Sequence, residues 1–88
     1  MKIFKYFVPI QDSFSTPLPE GAEILSFQCQ NNELFFWALV NDLAKLVDRY
    51  FVLRGTGHKI YIPRNQLKYI GTAQSHGQFV WHLFEDIT

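Results

Sequence analysis

Alternation with a period of two runs through most of this chain. Lys2 to Val8 sets Phe4, Tyr6 and Val8 on one face and Ile3, Lys5 and Phe7 on the other. Pro9 has no amide hydrogen to give to a ladder and ends that run. Gln11-Asp12-Ser13 reads as a turn, and Phe14 to Leu18 can extend only at a sheet edge, because Pro17 and Pro19 cannot donate either. Pro19-Glu20-Gly21 turns the chain again. Glu23 to Gln30 then places Leu25, Phe27 and Cys29 against Ile24, Ser26 and Gln28, and after Asn31-Asn32 the run from Leu34 to Val40 returns, which predicts a hairpin. The returning arm is apolar on both faces. It belongs in the middle of a sheet, or with its outer face against a partner subunit.

The pattern changes at Asn41. Leu43, Leu46 and Val47 have helical spacing behind a capping residue, so one or two turns of helix are expected between Asn41 and Asp48. Arg49 to Leu53 is the next strand, and it runs into Arg54-Gly55-Thr56-Gly57-His58-Lys59. A second hairpin joins Leu67–Gln74 to Gln78–Glu85 through Ser75-His76-Gly77; Phe79, Trp81 and Leu83 share one face of its last arm, and Val80, His82 and Phe84 the other. The expected architecture is a single all-β domain over residues 1–88, with at most one short helix. It is a compact antiparallel sandwich or small barrel of six or seven strands.

A domain of 88 residues buries a smaller share of its surface than a large one and needs bulky side chains to hold it. Nine Phe, four Tyr and two Trp supply them, since each buried aromatic removes roughly 150–250 Å² from water. Cys29 is the only cysteine, so no disulfide can form within the chain, and a small buried hydrophobe in a reducing compartment is its simplest role. The basic start Met1-Lys2-Ile3-Phe4-Lys5 meets Pro9 and Asp12 too early for the apolar region of a signal peptide. No apolar run approaches the ~20 residues of a membrane-spanning helix. A soluble, unprocessed protein with no membrane partner is expected.

Eight basic residues balance eight acidic ones, which argues against the broad positive footprint of a duplex nucleic-acid binder. Local asymmetry survives that balance. Arg49, Arg54, Lys59, Arg64 and Lys68 form a stretch without acidic residues, enough to hold one anionic ligand. Within it, Gly55 and Gly57 let backbone amides approach an anion, Thr56 offers a hydroxyl, and Arg54 can clamp a phosphate or carboxylate. The spacing matches neither a P-loop nor a dinucleotide fingerprint, and a solvated glycine-rich connection accounts for the same residues. Trp37, Trp81, Phe35, Phe36 and Phe79 could stack on a base, although core packing is the commoner use of aromatics in so small a domain. His58, His76 and His82 lack the short spacing of a metal-ligand pair, so neither metal nor cofactor is expected. Without a nucleophile elbow, a recognised cysteine motif or a paired acid and base, no catalytic residue is assigned.

Met1-Lys-Ile-Phe-Lys-Tyr6, Pro9-Ile-Gln-Asp12, Leu18-Pro-Glu-Gly-Ala22, Trp37-Ala-Leu-Val40, Gly55-Thr-Gly-His58, Tyr69-Ile-Gly-Thr72 and Phe79-Val-Trp-His-Leu-Phe-Glu85 together resemble a family of small bacteriophage and prophage proteins to which no activity is attached. The resemblance spans almost the whole chain. It implies work in the cytoplasm of an infected bacterium, and small phage proteins of this kind often antagonise bacterial defence. Two non-catalytic routes suit a compact β domain. A homo-oligomeric sponge would sequester a nucleotide-derived immune signal: Arg54, Lys59 and Arg64 would meet phosphates, the Gly55 and Gly57 amides and the Thr56 hydroxyl would bond them, His58 would stand beside them, and Trp37, Trp81 or His82 would stack on a base. A blocker would instead cover a protein surface of a defence complex, as anti-CRISPR proteins do, and would need an exposed apolar patch rather than a basic pocket. An accessory role in the phage particle remains a further class.

Overall fold

A computed structural model describes residues 1–88, and it is a two-sheet antiparallel sandwich of seven strands. The strands are β1 (Lys2–Val8), β2 (Ser13–Pro19), β3 (Glu23–Gln30), β4 (Glu33–Val40), β5 (Leu46–Gly55), β6 (Leu67–Ser75) and β7 (Phe79–Asp86). One sheet has the order β1-β4-β3 and the other β2-β5-β7-β6. The sheets share no ladder, so the sandwich is open and not a closed barrel. β3 nevertheless lies alongside β6, so closely that a Cβ at Gly71 would stand 3.3 Å from the Phe27 Cβ.

Both expected hairpins form, and their turns explain themselves. Asn31 and Asn32 have φ of 54° and 62°, and His76 and Gly77 have 53° and 71°. Two consecutive left-handed residues are the twist-matched hairpin connection, and asparagine and glycine reach that region at least cost. β2 is an edge strand that pairs only with β5, as its two prolines require.

The core sits between the sheets. Val8, Leu34, Phe36, Ala38 and Val40 of the first sheet meet Leu18, Phe51, Leu53 and Leu83 of the second, all of them buried. An aromatic column crosses it: Tyr6 stacks on Phe36 at 5.1 Å, Phe36 meets Phe51 at 5.0 Å, and Phe51 stacks on Phe14 at 5.3 Å. At one edge of the interior, Arg49 makes two bonds to the Glu85 carboxylate, at 2.6 and 2.8 Å, and a third to the Ala22 carbonyl. The Glu85 hydrogen bonds push the Arg49 pKa further up.

The structure departs from the sequence pattern in three places. The helix expected between Asn41 and Asp48 does not form. The Asn41 side chain accepts from the Leu43 amide at 3.1 Å and its carbonyl from the Ala44 amide at 3.0 Å, making a turn that carries the chain to the other sheet. Leu46 and Val47 then pair with Pro19 and Leu18, which draws β5 back to Leu46. Leu43 and Leu46, read as a buried helical stripe, are exposed. A bulge at Leu25 is the second departure: it brings Ile24 round to the core side with Phe27 and Cys29 and leaves Leu25 outside. Third, residues 64–66 make a short 3₁₀ turn before β6.

Candidate functional site

The glycine-rich stretch follows directly from β5, and most of its groups are already engaged, the Gly57 amide excepted. The Gly55 amide donates to His58 Nδ1 at 3.1 Å, the Thr56 amide to the Val80 carbonyl at 3.1 Å, and the His58 amide to the Gly55 carbonyl at 3.0 Å. The His58 ring folds over Gly55 so tightly that a Cβ there would lie 2.8 Å from it. Only glycine fits beneath that ring. Gly57, at φ +89°, closes the turn and has open space around it.

Arg54 does not face an opening. Its Nε donates to the Lys59 carbonyl at 3.1 Å, and its Nη1 to the carbonyls of Asp12 at 2.6 Å and Leu53 at 2.9 Å, so it ties β5 to the β1–β2 loop and to the following segment. Arg64 is exposed and makes one such bond, its Nη1 donating to the Leu67 carbonyl at 2.7 Å. The Lys59 side chain is exposed and makes no ion pair. The expected convergence of two arginines and a lysine with free amides is therefore not assembled.

The aromatic partners of that expectation stand on different surfaces. Trp37 is on the outer face of the three-stranded sheet. Trp81 packs against the core from β7, its indole N–H donating to the Ser75 hydroxyl at 2.9 Å. His82 is on the outer face of the four-stranded sheet, its Nε2 2.7 Å from the Thr56 hydroxyl and its Nδ1 3.0 Å from that of Thr72, which is itself 2.6 Å from the Tyr69 hydroxyl. One ring nitrogen must donate and the other accept in the neutral imidazole. Both of its partners are hydroxyls, and no carboxylate bonds to the ring. His76 caps the β6–β7 turn, and no cluster of histidine, cysteine and carboxylates gathers to hold a metal.

What stands open is apolar. On the outer face of the three-stranded sheet, Ile3 pairs across from Leu39, Lys5 from Trp37 and Phe7 from Phe35. The rings run together: Phe7 meets Phe35 at 5.9 Å edge-on, and Phe35 meets Trp37 at 6.2 Å. The Lys5 ammonium lies 4.2 Å from the Phe35 ring centroid and donates to Gln30 at 2.6 Å. Phe7 also forms one wall of a cavity of about 490 Å³ at the end of the sandwich, between the end of β1 and the two hairpin turns. Leu34, Phe79 and Trp81 line it with Phe7, Val8 and Ile10, and Glu33 is the only acidic or basic group among its walls apart from His76. Trp81 is shared with two smaller cavities, of about 160 and 190 Å³, that reach the His58 turn.

Phe79 was a candidate stacking ring, but Phe7 and Ile10 were not expected at a site. Their signal was present in the strand faces left over once one side of β1 and β4 was given to the core. The fold and this surface define an open β-sandwich with an apolar strip along β1 and β4 and an apolar end cavity. The chain belongs to the family described as a domain of unknown function, DUF7352, which matches residues 1–88. No curated protein and no solved structure matches it.

Proposed function

We propose that this protein is a non-catalytic binding protein whose working surface is the outer face of the β1-β4-β3 sheet, and that its partner is another protein. The observation that carries this reading is the apolar strip Ile3, Phe7, Phe35, Trp37 and Leu39, in which Ile3 and Phe7 are more than half exposed and the three β4 residues are half-buried. Flat aromatic surfaces with one tryptophan and few charges match the anchors that dominate protein interfaces. Lys5, the one cation on the strip, asks for a partner surface that is apolar with an acidic group opposite it. In the setting that the phage resemblance suggests, such a protein would antagonise bacterial immunity by covering a component of a defence complex in the host cytoplasm.

Capture of a nucleotide-derived signal is the second reading. In its favour, Trp81 offers a stacking wall next to Thr56 and His58 in one small cavity. Against it, Arg54 and Arg64 are bound to backbone carbonyls, and no lysine or arginine lines any of the cavities. Heating the purified protein after incubation with candidate signal nucleotides separates the classes. Protein contact expects no nucleotide in the supernatant. Recovery of intact nucleotide would establish sequestration instead, and recovery of altered nucleotide would establish an enzyme.

A further inference from the structure

We propose that the end cavity is a socket for a second copy of this chain, filled by the segment around Tyr61. This shares only Phe7 with the sheet-face reading and goes beyond it. The segment 58–64 crosses from the His58 turn to the 3₁₀ turn without entering either sheet, and Tyr61 within it is 83% exposed. Ile60 and Ile62 flank it, and Lys59, exposed and without an ion-pair partner, stands two positions before it. An aromatic anchor beside a free ammonium is one half of a complementary pair. The cavity is the other half: Phe7, Leu34, Phe79 and Trp81 offer apolar walls, and Glu33 places a carboxylate with no ion-pair partner at its edge. Tyr61 of a second copy would fill the socket while Lys59 of that copy meets Glu33.

Within one molecule Tyr61 does not fill the socket: it is 83% exposed and forms no part of the cavity wall. Ile62 lines a cavity with Ser13, Phe14, Val52 and Asp86 on the four-stranded sheet, whereas the socket opens beside the β3–β4 and β6–β7 turns. Each copy therefore presents one knob and one hole. Such an interface joins unlike surfaces and builds rings or open chains, unless two copies exchange knobs reciprocally.

The test uses the full chain and two surface variants. Tyr61→Ser removes the knob, and Phe79→Lys puts a like charge in the hole; both positions are more than half exposed, so the fold should survive, as a circular dichroism melt would verify. Sedimentation velocity of the wild type should show mass rising with concentration above that of the monomer. Each variant alone should stay monomeric, and an equimolar mixture should form a one-to-one dimer, because it restores one knob and one hole. Glu33→Lys should weaken assembly about tenfold or more, and adding Lys59→Glu should restore it. A wild type that stays monomeric at all concentrations overturns the proposal. So does a mixture that stays monomeric while the wild type assembles, or a Tyr61→Ser variant that assembles as the wild type does.

Discussion

Phe36 is the residue on which the interior turns, fully buried and in contact with Tyr6 on one side and Phe51 on the other. Phe36→Ala should cost about 3–5 kcal/mol, read as a lower urea midpoint at unchanged slope. Arg54→Ala should behave as a structural lesion. It deletes a guanidinium bound to three carbonyls, so about 2 kcal/mol of stability should go, and segment 57–66 should lose amide protection in hydrogen exchange. Two carboxylates contribute to the response to acid. Lys2 holds Asp42 below its ordinary pKa, and the Thr88 hydroxyl and amide do the same for Asp86. A depressed folded pKa stabilises above the unfolded value and is lost as pH falls through the folded one. Both contributions should thus be constant at neutral pH and fade below about pH 4, which an acid titration of the melting temperature would show. At this scale the sequence made the turn residues and the aromatic core legible, because φ preference and bulk are local properties. The fate of Arg54 was not legible: Asp12, whose carbonyl it binds, is 42 positions away, and only the fold brings it near.

Strands were readable from alternation wherever one face is buried and the other wet. The reading failed between Asn41 and Asp48 because a short apolar spacing fits a helix and a turn-plus-strand equally well. What decided it was register, Leu46 and Val47 lying opposite Pro19 and Leu18, which no local pattern contains. Bulges are invisible in the same way, since one extra residue at Leu25 exchanges the faces of the strand before it. β4 was the most telling element, its doubly apolar pattern marking both the core and the strip outside it. Ties between elements can be tested at Arg49 and Glu85, from β5 and β7, which lie largely out of water with side-chain exposures of 22% and 10%. Glu85→Ala should cost about 3 kcal/mol, because it strands a half-buried guanidinium, whereas removing both partners together should cost less than the sum. A double-mutant cycle by urea unfolding measures that difference.

As a whole the molecule is a sandwich with unequal coats. The four-stranded sheet has segment 57–66 reaching back to it through Arg54, and Val52 on β5 is only 1% exposed. The three-stranded sheet carries no such cover: Ile3 and Phe7 are exposed on its outer face, and Phe35, Trp37 and Leu39 beside them are half-buried. An apolar strip outside a core that is already complete is the surface on which the proposed partner contact would be made. Balanced net charge fits that arrangement, since a protein partner needs no long-range field to be recognised. The most direct measurement places a photo-crosslinking amino acid at Trp37 and, as a control, at exposed Lys68, and irradiates host cells producing each version. We expect a discrete protein adduct from position 37 that is absent from position 68 and is lost when Phe35→Ser is added. The same adducts from both positions, or none from position 37, would contradict a partner-binding role for the outer sheet face.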